Sequence, residues 1–132
     1  MALSSSIVLI DTSVIINFMH GKARHRALFQ ELATRQMSLA TSCISVAELY
    51  AGMRIEEDAA TAEMLEAFEV LQVNFEIAQK AGLMRGLQRR SGRTFALDDM
   101  MIAAASILHG YPLITDNRKD FEIPEIVLFP EF

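Results

Sequence analysis

Asp11 follows the aliphatic run Ile7-Val8-Leu9-Ile10, and Glu48 follows Ser45-Val46-Ala47. Asp98 and Asp99 precede an alanine-rich apolar stretch, and Asp116 with Asn117 follows Pro112-Leu113-Ile114-Thr115. These side chains come from four distant segments and offer only oxygen and amide groups. Carboxylates brought within a few ångströms repel one another, and burial adds a desolvation cost, so a cluster of them needs protons or a cation to neutralise it. Magnesium takes oxygen ligands, keeps several waters and is commonly held by one or two carboxylates with a substrate phosphate. Water beside such an ion ionises more readily, and the ion stabilises charge on a phosphoryl group, so phosphodiester hydrolysis is the chemistry this set could perform. Each acid also has a plain structural use. Asp11 can cap a helix, Ser45-Val46-Ala47-Glu48 matches a capping box, and acids at a helix start complement its dipole. Singly those uses suffice, but caps have no reason to gather at one end of one sheet.

Whether the acids gather depends on the elements that carry them. Ile7–Ile10 reads as a strand buried on both faces. Residues 14–20 suit a short helix closed by Gly21, and residues 23–35 a second helix. Residues 38–41 read as a strand and 45–54 as a helix, which puts Glu48 in its first turn. Residues 58–68 have helical periodicity, 70–73 read as a third strand, and Asn74 can cap a helix ending near Ser91-Gly92. Residues 98–109 form a helix closed by Gly110, followed by strands at 112–115 and 126–128. Strands alternating with helices predict a three-layer α/β/α sandwich with a mostly parallel central sheet of four to five strands. In such sheets the carboxyl ends of the strands share one edge, where helices begin with unpaired N–H groups and ligands usually bind. All four acidic segments belong to that edge.

The chain has 132 residues, 52% apolar and 22% charged, a balance that predicts one globular domain over residues 1–132. The apolar stretch from Met100 to Leu108 is broken by Ser106 and falls short of the roughly 20 residues of a bilayer span, so no membrane association is expected. No Lys or Arg precedes Asp11 as a signal peptide would require, which predicts a cytoplasmic protein. The single cysteine, Cys43, excludes an intramolecular disulfide and a thiolate zinc cluster. A net charge of −5 argues against nucleic-acid binding by bulk electrostatics. Local charge differs: Arg85, Arg89, Arg90 and Arg93 form one basic group, and Arg118 with Lys119 a smaller one. Cations at a helix C-terminus account for the first group equally well. His20, His25 and His109 lack ligand spacing, and surface or capping roles are expected of all three.

The Asp11-Thr12-Ser13 turn, Ser45-Val46-Ala47-Glu48-Leu49, Asp99-Met100-Met101-Ile102-Ala103-Ala104 and Thr115-Asp116-Asn117-Arg118-Lys119-Asp120-Phe121 stand in order along nearly the whole chain. This ordered set resembles the PIN-domain toxins of the VapC and FitB kind. The resemblance implies a PIN-like fold and a metal-dependent endoribonuclease that is the toxin of a VapBC-type toxin–antitoxin pair. It implies Asp11, Glu48 and Asp99 as the acidic triad and as ligands of Mg²⁺, or of Mn²⁺ in its place. Asp99 is preferred to Asp98 because it stands three residues before Ile102-Ala103-Ala104. The family's fourth site position falls on Asn117, where many relatives carry Asp, and the neighbouring Asp116 is the alternative. Thr115 and Ser13 resemble hydroxyls that orient the carboxylates. The implied partners are RNA, hydrolysed to 5′-phosphate and 3′-hydroxyl ends, a second copy of the chain in a homodimer, and a VapB-like antitoxin covering the active edge. Two other readings stay open. One is a non-catalytic PIN-like interaction module, favoured by Asn117 and the acidic net charge. The other is an Asp/Mg²⁺ phosphotransfer domain, which would need a second Asp where Ser13 stands and a Lys after a late strand.

Overall fold

Four aliphatic residues in succession leave β1 (Ile7–Ile10) without a polar face, and in the computed structural model, which describes residues 6–130, the chain covers both of its sides. β1 pairs in parallel with β2 (Ser38–Ser42) and with β4 (Leu113–Ile114), and β2 pairs in parallel with β3 (Phe68–Leu71). The strand order is β3-β2-β1-β4, with β1 in the interior. Side chains alternate across a strand, so neighbours enter different cores. Leu9 packs with Leu71 and Leu113 against Ile77 and Ala81 of α5 (Phe75–Arg90) and Ile102 and Ala103 of α6 (Leu97–His109). Val8 and Ile10 pack on the other side with Val14 of α1 (Thr12–Met19), Leu28 of α2 (Ala23–Thr34) and Leu49 of α3 (Cys43–Gly52). Met64 and Leu65 of α4 (Asp58–Leu65) border this second cluster. The result is the expected α/β/α sandwich. Val8, Leu9 and Ile10 are fully buried, and each contributes about 1.5–3 kcal/mol of apolar burial.

Several boundaries differ from the sequence reading. β3 lies at Phe68–Leu71, two residues earlier than expected, because Phe68 packs into the cluster beside α1 and α2 and so leaves the preceding helix, which ends at Leu65. The strand expected at 126–128 reduces to one parallel bridge between Leu113 and Leu128. Pro124 and Pro130 flank it, and proline supplies no N–H to extend a ladder. α6 ends at Gly110, whose φ of +71° is a left-handed cap that residues with a Cβ adopt at a cost. Among the described residues no helix is long and apolar enough to cross a membrane.

Candidate active site

Pairing of Ile10 with Ile114 places the next residues of both strands, Asp11 and Thr115, side by side at the carboxyl edge of the sheet. Thr115 Oγ1 donates to Asp11 Oδ2 over 2.6 Å, and Asp11 N donates to Ile114 O over 2.9 Å. Asp11 is also the N-cap of α1: its Oδ1 accepts from Thr12 N at 2.8 Å, and Ser13 Oγ donates to Oδ2 at 3.3 Å. The capping use and the clustering use therefore coexist in one carboxylate. With only 4% of its surface exposed, Asp11 has its pKa raised above the ordinary value by burial. Hydrogen bonds from Thr115, Thr12 and Ser13 oppose that shift, and the charge of Asp116 adds to it.

The capping box expected at Ser45 to Glu48 is not formed. β2 continues through Ser42, paired with Leu71, and Ser42 itself caps α3, its Oγ accepting from Ile44 N at 3.1 Å. α3 thus starts at Cys43, and Glu48 sits in its second turn rather than its first. Ser45 is fully buried, and Thr12 Oγ1 lies 2.8 Å from Ser45 Oγ and 2.7 Å from Glu48 Oε1. A hydroxyl carries one proton, so Thr12 links these two groups in a relay that ties Glu48 to the end of β1. The sequence singles out Thr12 only as part of a turn; nothing local reveals a contact spanning 36 positions.

Glu48 has its pKa pushed up to about 7, first by burial and then by a hydrogen bond with Asp98; the bond from Thr12 works the other way. Two carboxyl groups can share such a bond only when one of them holds a proton. Asp99 is pushed up to about 6 by burial and then by the negative charges of Asp98, Asp11 and Asp120. Asp98 and Asp99 are both in the first turn of α6. Both acids bear on the site: Asp98 acts on Glu48, and Asp99 feels the charge of Asp11.

Asp116 is held differently. Its Oδ2 lies 2.7 Å from Asn17 Nδ2 and 2.8 Å from His25 Nε2. An ionised carboxylate can only accept, so Nε2 carries the proton in this pair. His25 is only 4% exposed, which corrects the surface or capping role expected of it. Lying in the first turn of α2, it is drawn inward by a carboxylate 91 positions away. Asn117 is exposed; its N–H donates to Thr115 Oγ1 at 3.0 Å, and its side chain makes no capping bond to the 3-10 turn Arg118–Phe121.

Thr115 thus serves both Asp11 and the backbone of Asn117. Thr115→Val should lower stability by about 1–3 kcal/mol, the cost of leaving buried polar groups without a partner. It should also raise the Asp11 pKa further, since the bond that opposes the burial shift is lost. Urea unfolding and carboxyl NMR titration would check the pair of effects, and an unchanged Asp11 titration would contradict this reading of the bond.

Residues 8–125 match the model of the PIN domain. The chain belongs to the PIN-domain family. It is 33% identical over 118 residues to Ribonuclease VapC10 of Mycobacterium tuberculosis (strain H37Rv), covering 89% of this chain and 88% of that protein. VapBC2 from Rickettsia felis, solved bound to a DNA fragment from its promoter, shares the fold with a TM-score of 0.80 and 22% identity, covering 93% of this chain and 97% of that one. A toxin–antitoxin complex from Klebsiella pneumoniae gives a TM-score of 0.75 at 28% identity, covering 91% and 95%. The VapC-like resemblance of the ordered motifs and the PIN-like fold are thereby shown.

Among the described residues of this PIN domain, no three His, Cys, Asp or Glu side chains are drawn together as a ready-made ligand cluster. The donors still suit a hard dication. They are all oxygens, and the acids raise one another's pKa through like charge, Asp98 acting on Glu48 and on Asp99, and Asp11 on both. Magnesium completes its shell with water and needs only one or two direct carboxylates, so the set fits that ion without a closed cage.

Proposed function

We propose that this PIN domain is a metal-dependent endoribonuclease, the toxin of a VapBC-type toxin–antitoxin pair. The reading rests above all on Asp11, Glu48 and Asp99, which come from three chain segments, with the charge of Asp11 felt by both of the others. The ribonuclease name of a relative one-third identical supports it. Asp11, Asp99 and Glu48 would hold Mg²⁺, or Mn²⁺ in its place; when bound, the ion would neutralise phosphoryl charge and make nearby water more acidic. The chain's own groups supply the rest. Thr115 fixes the rotamer of Asp11 through Oδ2, and Thr12 fixes Glu48 through Oε1. Glu48, held by Thr12 beside the charge of Asp11, would orient an attacking water or accept its proton. Asn117, exposed at the rim, is offered to the RNA, while Asp116 is committed to Asn17 and His25.

Digestion of RNA by the purified protein tests the reading. Cleavage should require divalent metal, stop in excess EDTA and leave 5′-phosphate and 3′-hydroxyl ends. Undiminished cleavage in EDTA, or 2′,3′-cyclic phosphate ends, would refute it. The solved Klebsiella pneumoniae structure is a toxin–antitoxin complex, which supports a VapB-like antitoxin here, with a homodimer and a cytoplasmic location as further parts of the proposal. Co-expression with the adjoining open reading frame should recover the two proteins together.

A further inference from the structure

A cleft of about 540 Å³ opens beside the acidic rim, between the start of α2 and the end of β4. Lys22, Arg24, His25 and Arg118 line it, together with Thr115 and Asp116. In a chain with a net charge of −5 this is a local reversal of sign. The one carboxylate in the wall, Asp116, does not undo it, because Lys22, Arg24 and Arg118 outnumber it. Arg118 Nη1 donates to Phe129 O at 2.8 Å, which fixes that guanidinium at the cleft wall. The cleft and the rim share a wall: Thr115 lines the first and donates to Asp11 in the second.

We propose that this cleft seats a backbone phosphate of the RNA strand next to the phosphodiester that is cut. The proposal rests on the ribonuclease reading and extends it to how the substrate is held. A polyanion approaching several carboxylates is repelled unless cations nearby take up its other phosphates, and Lys and Arg are the groups that do so. Arginine's planar fork matches a phosphate's paired oxygens, and lysine adds a mobile point charge. The other basic group offers less. Arg89 and Arg90 occupy the last turn of α5, where they offset the helix dipole. Arg93 lies 3.6 Å from Glu122 and stacks over the Phe95 ring. The contacts expected in the cleft are to phosphate, so they position the strand without reading its sequence.

The test uses the full chain carrying Asp99→Asn, to suppress cleavage, in Mg²⁺. Binding of a short fluorescent single-stranded RNA of mixed sequence is followed by anisotropy across a series of KCl concentrations. Adding K22A/R24A should weaken binding roughly tenfold at moderate salt and reduce the slope of log affinity against log salt by about 0.7, the share of the one phosphate seated there on a single strand. Both residues are exposed, so the fold should survive, and circular dichroism would verify it. Arg24→Gln alone should give about half the change in slope. Equal affinity and equal slope in all variants would overturn the cleft as a phosphate seat, even where the wild type still cleaves RNA in Mg²⁺. Absence of any metal-dependent cleavage or RNA binding by the wild type would overturn the ribonuclease reading and the cleft proposal together. Competition by a polyglutamate peptide that K22A/R24A abolishes, with RNA affinity unchanged, would also overturn the proposal and assign the cleft to an acidic protein segment.

Discussion

Replacing Asp99 by Asn will lower metal-dependent RNA cleavage by about 10³-fold or more while raising the melting temperature of the metal-free protein at pH 8. On the proposed function, the first effect follows from loss of a charge that would help hold the metal, worth about 4 kcal/mol to a transition state rich in negative charge. The second has the opposite sign because Asp99 is strained without metal: burial and the charges of Asp98, Asp11 and Asp120 hold its pKa at about 6, so at pH 8 it is ionised against all of them. The amide keeps the shape and removes the charge. Because the side chain is only partly buried, the relief after solvent screening is on the order of 1 kcal/mol, or about 3–5 °C in a domain of this size. Calorimetry and a fluorogenic RNA assay on the same preparation would read both effects. A D99N protein that cleaved normally, or that melted lower than wild type without metal, would show that electrostatic strain at Asp99 is not tied to activity.

Stability of the metal-free protein should fall as pH rises from about 5 to 8, and Mg²⁺ should reverse the trend. Glu48 rises from an ordinary 4.5 to about 7 in the folded protein and Asp99 from 3.8 to about 6. Between those limits the folded chain holds protons that the unfolded chain has released, so the stability they contribute is complete below the unfolded values and is lost as pH passes through 6 and then 7. On the proposed function, Mg²⁺ would bind the deprotonated acids of the native state, and its affinity should therefore climb through the same interval. Thermal melts in EDTA and in Mg²⁺ across this pH range would show two curves that diverge upward of neutrality. Parallel curves would mean that these acids and the metal do not compete with protons for one site.

The sheet edge was legible in the chain because its cause is local. An aliphatic run followed at once by Asp11, and another followed by Thr115 and Asp116, declare buried strands and the rim on which they end. Assignment of Glu48 to that rim needed only the order of strand and helix. What stayed hidden depends on partners far apart in sequence. Ser45 matched a cap, but Ser42, still extended at the end of β2, took that position and left Ser45 to face Thr12. His25 gave no periodic signal that could separate a solvent-facing ring from one paired with Asp116. Asp98 and Asp99 occupy the same first turn of α6, and only the packing of α6 against its neighbours decides which acid each one meets. The strand expected at 126–128 had suitable residues, yet its flanking prolines left it one bridge.

The bond between Thr115 and Asp11 spans 104 positions, and β4, which delivers it, holds β1 through only two paired residues. During synthesis β1, β2 and β3 are made before α6 and β4. The nascent chain at that stage has Asp11 and Glu48 but neither α6 nor the threonine that locks the first acid in place. Closing so long a loop comes late for entropic reasons. Until α6 and Thr115 have left the ribosome, the acidic rim of a half-made chain therefore lacks both the acids of α6 and the hydroxyl that holds Asp11.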